Sequence, residues 1–232
     1  MGEMGRAFDG SYAEYALLPN EQIYPLDSQL SWEELAAIPE TYYTAFGSFK
    51  NLQIKEGDSI LVRAATSGVG LAFLKLVKAQ FPQNRVVGAV RSLAKKDLLQ
   101  YRGFDEIILD EKGVLQTEEK FDKILELVGP ATLKNSFDHI QSAGIICNTG
   151  QLGGKWYVEE FDPIVEIRNN SYLTSFYSGN AHQQLIDELF SYIDAYKINV
   201  SPQRIFSLEQ IPAAHSYIES QAGFGKVVVL NN

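Results

Sequence analysis

Residues 59–72 read Ser-Ile-Leu-Val-Arg-Ala-Ala-Thr-Ser-Gly-Val-Gly-Leu-Ala, an apolar run that passes through a turn of small residues straight into a helix-forming stretch. Few folds accommodate that order. Ile60, Leu61 and Val62 suit a short buried strand, while Ser67, Gly68 and Gly70 let the backbone turn sharply and approach a ligand. The helix expected over about Gly68 to Gln80 then offers its first N–H groups, which have no partner inside the helix, to an anion. This is the physical form of a dinucleotide-binding βα turn, with the pyrophosphate at the helix start. Ala65 and Ser67 occupy the first two glycine positions of the G-x-G-x-x-G pattern and Gly70 the third, and Thr66, Gly68 and Val69 complete the loop. Any tight strand-to-helix connection shares part of this pattern. The context favours the nucleotide, because Asp58 closes a turn before the strand and a second βα unit follows at the expected distance.

Beyond the loop the chain keeps alternating. Arg85 to Val90 reads as a strand, Leu93 to Tyr101 as a helix, Glu106 to Leu109 as a third strand and Phe121 to Glu126 as a fourth. A helix is expected after Pro130, which suits a first-turn position, running to about Ile140. Ala143 to Thr149 and Tyr172 to Phe176 are the fifth and sixth strands. The α/β alternation implies a doubly wound parallel sheet with helices on both faces, since right-handed crossovers must cover it. Cofactors bind at the carboxyl ends of such strands. The flanks differ. Residues 10–25 alternate like β-strands broken at Pro19 and Pro25, and Lys226 to Leu230 form one more strand. The expected organisation is a dinucleotide-binding domain over 34–180, with a second, β-rich domain assembled from 1–33 and 181–232.

Composition narrows the function. A 45% hydrophobic, 21% charged chain of 232 residues is long enough for a real core and is not disordered. With 29 acidic and 20 basic side chains the net charge is −9, and no Lys/Arg run overrides it, so no nucleic-acid partner is expected. Cys147 is the only cysteine, which excludes an internal disulfide and fits a reducing compartment. The first twenty residues lack the apolar centre of a signal peptide and no apolar run reaches membrane-spanning length. A cytoplasmic protein with no membrane partner is expected. His139, His182 and His215 are scattered and no pair shows metal-ligand spacing, so no metal is expected either. A Ser/His/Asp set with a nucleophile elbow is also missing.

Six ordered segments carry a more specific signal: Gly10-Ser-Tyr-Ala-Glu-Tyr15, Ala37-Ile-Pro-Glu-Thr-Tyr-Tyr-Thr-Ala45, Glu56-Gly-Asp58, Ser67-Gly-Val-Gly70, Thr149-Gly-Gln-Leu-Gly-Gly154 and Gly225-Lys-Val-Val-Val229. In order and spacing they resemble the medium-chain dehydrogenases/reductases, and most of all the zinc-free, NADPH-dependent quinone oxidoreductase branch. The resemblance implies a Rossmann-type domain flanked by an incomplete GroES-like β domain formed from both termini. It also implies hydride transfer from NADPH to a small-molecule substrate, a quinone or other electron-poor carbonyl compound, without metal. Thr44, Thr149, Gly150 and Leu152 match positions that cradle the ribose and nicotinamide, and Val128 and Gly129 match the wall of the cofactor groove. Singly, each glycine here is also explained by turn chemistry. Tyr42 and Tyr43 would lie near the nicotinamide, as proton donors or as packing over the ring. Glu40 matches a position where zinc-dependent relatives have a ligand, without cysteine or histidine partners. Family members carry most of a β domain ahead of the Gly10–Tyr15 segment, so much of the substrate wall is expected to be absent. A zinc-dependent alcohol dehydrogenase and a dinucleotide-binding module without turnover remain the alternatives. The alternating segment Ser171 to Phe176, free of proline, is the candidate edge for a homodimer.

The choice of dinucleotide turns on the end of the second strand. An NAD site places a carboxylate there for the ribose 2′-OH, and that charge would repel a 2′-phosphate. Here the strand ends Ala89-Val90-Arg91-Ser92, with Lys95 and Lys96 one helical turn on. A cation and a hydroxyl suit a phosphate, so NADPH is the expected cofactor, held by Arg91, Ser92 and Lys95. Asp110 departs from the pattern, standing where the resembling enzymes have a tyrosine beside the adenosine.

Overall fold

The structure, a computed structural model, describes residues 3–220 and 225–231. In chain order the elements are α1 (Trp32–Ala37), α2 (Thr41–Leu52), β1 (Ile60–Arg63), α3 (Gly68–Gln80), β2 (Val86–Val90), α4 (Lys96–Tyr101), β3 (Glu106–Glu111), β4 (Val114–Leu115), β5 (Phe121–Glu126), α5 (Leu133–Asp138), β6 (Ile140–Asn148), α6 (Pro163–Glu166), β7 (Tyr172–Ser175), α7 (Gln183–Tyr196), β8 (Arg204–Ser207), α8 (Ile211–Glu219) and β9 (Val227–Leu230). They fall into two compact units. One spans Thr44–Phe176, and the other is made of the described residues up to Tyr43 and from Tyr177 on.

The Thr44–Phe176 unit is an α/β, Rossmann-like sheet of seven strands in the order β4-β3-β2-β1-β5-β6-β7. All neighbours are parallel except β4, which pairs antiparallel with β3. Every residue of β1 and β2 is buried, as expected of strands covered on both faces. One apolar layer joins Leu61, Val87, Ala89, Ile108, Ile124 and Ile146 to Leu133 and Phe137 of α5. Strand order runs outward from β1 in one direction through β2 and β3, and in the other through β5, β6 and β7. The reversal lies between β1 and β5, which is where an open α/β sheet leaves a crevice at its carboxyl edge.

Several boundaries depart from the sequence expectation for identifiable reasons. The helix after Pro130 is confined to Leu133–Asp138, because Ile140 pairs with Phe121 and starts β6 three residues earlier than expected. That strand is interrupted by a register shift and by Ala143, whose φ of 60° marks the irregularity. The third strand continues to Glu111 and folds back as β4 through Lys112 and Gly113, both at positive φ, a two-residue turn of the kind that suits hairpins. The stretch 93–101 begins as a 3-10 turn at Leu93–Lys95 before α4. The sixth strand stops at Ser175, and the ring of Phe176 instead packs so closely on Gly47 that a Cβ there would lie 2.1 Å from it.

The other unit contains the parallel pair β8–β9 and the helices α1, α7 and α8. In α7 the buried residues Leu185, Leu189 and Ile193 recur at four-residue spacing. His182 caps its start by accepting the Leu185 N–H at Nδ1, and Lys197 ends it in the left-handed region. The strands expected in 10–25 do not form. That segment has one 3-10 turn, Asn20–Gln22, and Tyr12, Tyr15 and Leu17 stay exposed. Alternation makes a strand only where a neighbour supplies the hydrogen bonds, and among the described residues none pairs with this one.

Candidate functional site

Two loops border the crevice at the reversal of strand order. The first follows β1. Ala64 turns the chain with φ at 61°, Ala65 donates its N–H to Ala89 O, and Ser67 donates to Ala64 O. Ala65 is wholly buried and fits only because position 88 is glycine, where a Cβ would meet the Ala65 methyl at 2.7 Å. Ser67 caps α3 by accepting the Gly70 N–H at 3.0 Å, and its carbonyl accepts from Leu71. Gly70 is buried against the Ala64 carbonyl, with 3.1 Å available to a Cβ. The first helical turn therefore leaves the amides of Gly68 and Val69 without a partner among the described residues, at the positive end of a thirteen-residue helix. Thr66 is exposed beside them.

The second border is a crossing of two backbones. Past the end of β5, Leu127 to Gly129 runs against Thr149 to Gly153, past the end of β6. Thr149 and Gly150 donate to Glu126 O, Leu152 to Leu127 O, and Gly153 to Val128 O. A Cβ on Gly129 would stand 2.4 Å from the Gly150 oxygen, and one on Gly150 would stand 2.2 Å from the Leu127 oxygen. Gly129, at a φ of 89°, also meets the demand of a turn, and at both positions the missing side chain lets two main chains touch.

Below both borders lies a charged layer that sequence reasoning missed. Arg63, fully buried, reaches past Ala89 on β2 to Asp110, with Nη2 2.8 Å and Nε 3.1 Å from Oδ2. Nη2 also donates to Gly113 O, and Nη1 donates to Thr132 O and to Ser136 Oγ, so all five N–H groups have acceptors. Glu126, also fully buried, accepts Val128 N–H at 2.8 Å and Gly129 N–H at 3.0 Å on one oxygen and the Ser136 hydroxyl at 2.6 Å on the other. Its second oxygen lies 3.8 Å from Arg63 Nη1. Asp110 is therefore turned inward to an arginine.

A smaller polar chain supports the end of β6. Ser48 on α2 donates to Thr44 O at 2.8 Å or shares its proton with Thr149 Oγ1, also at 2.8 Å, and Thr149 Oγ1 lies 3.3 Å from Cys147 Sγ. Thr44 and Thr149 thus share one set of contacts, with Ser48 as the unforeseen link. Burial pushes the Cys147 thiol up from its ordinary range, against hydrogen bonds from Thr149 and Ser48 that pull it down. Leu152 is exposed, and Val128 is half-buried beside Gly129. After β2, Arg91 and Ser92 are exposed and Lys95 is half-buried; Ser92 Oγ caps the next turn by accepting the Ala94 N–H.

In the other unit, Tyr42 and Tyr43 are both buried. Tyr42 reaches the Asn199 carbonyl with its hydroxyl at 3.5 Å, and Tyr43 accepts the His182 N–H at 3.3 Å. Burial raises both phenols above their ordinary range, Tyr42 far more. Glu40 is exposed, with Lys226 Nζ 3.8 Å away. Among the described residues no three His, Cys, Asp or Glu side chains gather to hold a metal ion. Each histidine has another contact: His139 with Glu119 O, His182 at the cap, and His215 with Tyr12.

A family profile described as zinc-binding dehydrogenase matches residues 102–229, more than half of the chain. The chain belongs to that family. It is a medium-chain dehydrogenase/reductase, and curated relatives agree: a quinone oxidoreductase from Mus musculus is 29% identical over 62% of this chain and 46% of its own length. A 2-methylene-furan-3-one reductase from Solanum lycopersicum is 25% identical over 95% of this chain and 52% of its own. The chain spans about half the length of these relatives. Among solved structures, Bacillus subtilis yhfP with NAD bound has the same fold, with a TM-score of 0.81 and 23% identity over 98% of this chain and 72% of that one.

Proposed function

We propose that this chain binds NADPH and serves hydride transfer to a quinone or another carbonyl compound made electron-poor by conjugation. The observation that carries the reading is the crevice at the strand-order reversal, bordered by an unpartnered helix start on one side and a glycine crossing on the other. Bound NADPH would supply the hydride. The amides of Gly68 and Val69 would hold its pyrophosphate, with Ala65, Thr66, Ser67 and Gly70 shaping the approach. Arg91, Ser92 and Lys95 would take the 2′-phosphate, since no carboxylate ends β2. Val128 and Gly129 would line the groove, and Thr44, Thr149, Gly150 and Leu152 would cradle the ribose and nicotinamide. For Tyr42 and Tyr43 packing is the proposed role, because their hydroxyls are engaged with backbone and their protons are held tightly. The two relatives' names support the acceptor class: a quinone and a methylene-furanone both contain a carbonyl conjugated with a carbon–carbon double bond.

Fluorescence titration with NADPH and NADH, followed by NADPH oxidation with 9,10-phenanthrenequinone against a no-protein control, tests the reading. Tighter binding of NADPH and saturable oxidation are expected. Equal affinity for the two dinucleotides would remove the role given to Arg91. Binding without oxidation would select the second reading, a dinucleotide-binding module, which the self-contained seven-stranded unit also supports. No helix among the described residues is long and apolar enough to cross a membrane; a cytoplasmic location is part of the proposal. So is a homodimer through β7, the outer strand of the sheet, which leaves Tyr172 and Leu173 exposed. A monomeric mass in light scattering at micromolar concentration would remove it.

A further inference from the structure

We propose that Glu126 is a positioning residue for the dinucleotide groove, and that Arg63 and Ser136 set the direction of its hydrogen bonds. The inference rests on the proposed function only for the identity of the ligand. Strand alternation places the three charges together: Arg63, Asp110 and Glu126 each stand two residues beyond Leu61, Ile108 and Ile124, which belong to one apolar layer. They form a second, ionic layer at the carboxyl edge of β1, β3 and β5, the edge that carries the crevice. Through it the hairpin at Gly113, the start of α5 at Thr132 and the Val128–Gly129 turn share one buried guanidinium or its partner.

The polarity of this network is determined. Nη1 of Arg63 can only donate, so Ser136 Oγ accepts from it and turns its own proton to Glu126. Glu126 is then the one acceptor that faces three donors, the Ser136 hydroxyl and the amides of Val128 and Gly129. Those amides belong to the turn whose carbonyls receive Leu152 and Gly153 across the crossing. A carboxylate at position 126 therefore fixes one wall of the groove. An uncharged amide of the same shape keeps its oxygen on the two backbone donors only if its NH2 group faces Ser136 Oγ, which then accepts twice and loses the acceptor for its own proton.

Glu126→Gln is the test, in the full chain, with circular dichroism for folding, fluorescence titration with NADPH, and amide hydrogen exchange by NMR well below the unfolding midpoint. A folded variant that binds NADPH about tenfold more weakly, with faster exchange confined to Val128, Gly129 and the Leu152–Gly153 amides, is the expected result. A purely structural role would lower the midpoint without this local exchange. Should Glu126→Gln not fold, Ser136→Ala carries the test. It keeps the charge and removes two hydrogen bonds, the one Ser136 accepts from Arg63 Nη1 and the one it donates to Glu126, with roughly threefold weaker binding and the same local exchange expected. Wild-type affinity and wild-type exchange in either folded variant overturn the inference. A wild-type chain that binds neither NADPH nor NADH overturns the proposed function instead, and the exchange pattern then still decides whether Glu126 holds the turn.

Discussion

The two borders of the crevice use glycine for opposite purposes. After β1, Gly68 stands at a helix start where the backbone is left accessible, and its neighbours are capped by Ser67. After β5 and β6, Gly129 lies against the Gly150 oxygen and Gly150 against the Leu127 oxygen, with no room for even a methyl group. One border leaves its first helical amides accessible, and the other uses its glycines for permanent contact between two strands' ends. Substitutions should therefore fail differently: in affinity at the first border, in stability at the second.

The largest effect is expected at the crossing. Gly150→Val forces side-chain atoms into the Leu127 carbonyl and should cost about 3 kcal/mol or more, enough to shift a urea midpoint well outside error or to prevent folding. An unchanged midpoint would show that the crossing is loose and the comparison mistaken. At the other border, Gly68→Val should leave the midpoint within about 1 kcal/mol of wild type, since the residue begins a capped helix, yet abolish detectable binding of either dinucleotide. A folded variant that still binds would reduce Gly68 to an ordinary turn residue. Arg91→Ala sharpens the ligand side further. Loss of one charge-assisted phosphate contact, about 1.5–3 kcal/mol, predicts roughly ten- to hundredfold weaker NADPH binding with NADH little changed.

The smallest effect concerns Cys147, at the foot of the crossing. Its folded-state proton affinity is raised by burial, so the contribution it makes is complete below the ordinary thiol pKa and is lost as pH rises through the higher folded value. As pH rises above the ordinary thiol value of about 8.5, stability should fall more in the wild type than in Cys147→Ala, once the variant's constant offset is subtracted. Parallel pH curves would place the thiol in a wetter environment than the structure does. Native-state alkylation of the thiol should also be slow, because access requires local opening.

Much of the Thr44–Phe176 unit is legible in the sequence, and the reason is burial. β1, β2 and β5 come from runs whose residues are almost all inside, and α3 buries seven of its thirteen, so apolar composition marks them. β4 escapes because it has two residues, and its signal is the Lys112-Gly113 pair rather than any apolar run. Arg63 and Glu126 escape for a different reason. A charge at a strand end looks like the edge of solvent, and only their shared parity with Leu61 and Ile124 shows that they point into the same face. Ser48 has no sequence signal at all, since its partner Thr149 is far along the chain. Residues 10–25 show the converse, an alternating pattern with no ladder to join. Local pattern encodes which side of an element is apolar; it does not encode who stands opposite.

The backbone crossing also has a kinetic meaning. Its four hydrogen bonds continue the β5–β6 pairing beyond both strands, and they can form only after the intervening α5 crossover has brought the two strands side by side. It is expected to close late. Residues whose contacts form after the folding transition state act on the escape rate rather than on the approach, so Gly129→Ala, which forces a methyl group into the crossing, is expected to hasten unfolding in a denaturant jump while leaving the refolding arm nearly where it was. In that sense the glycines of the crossing set how long the groove persists once it has been made.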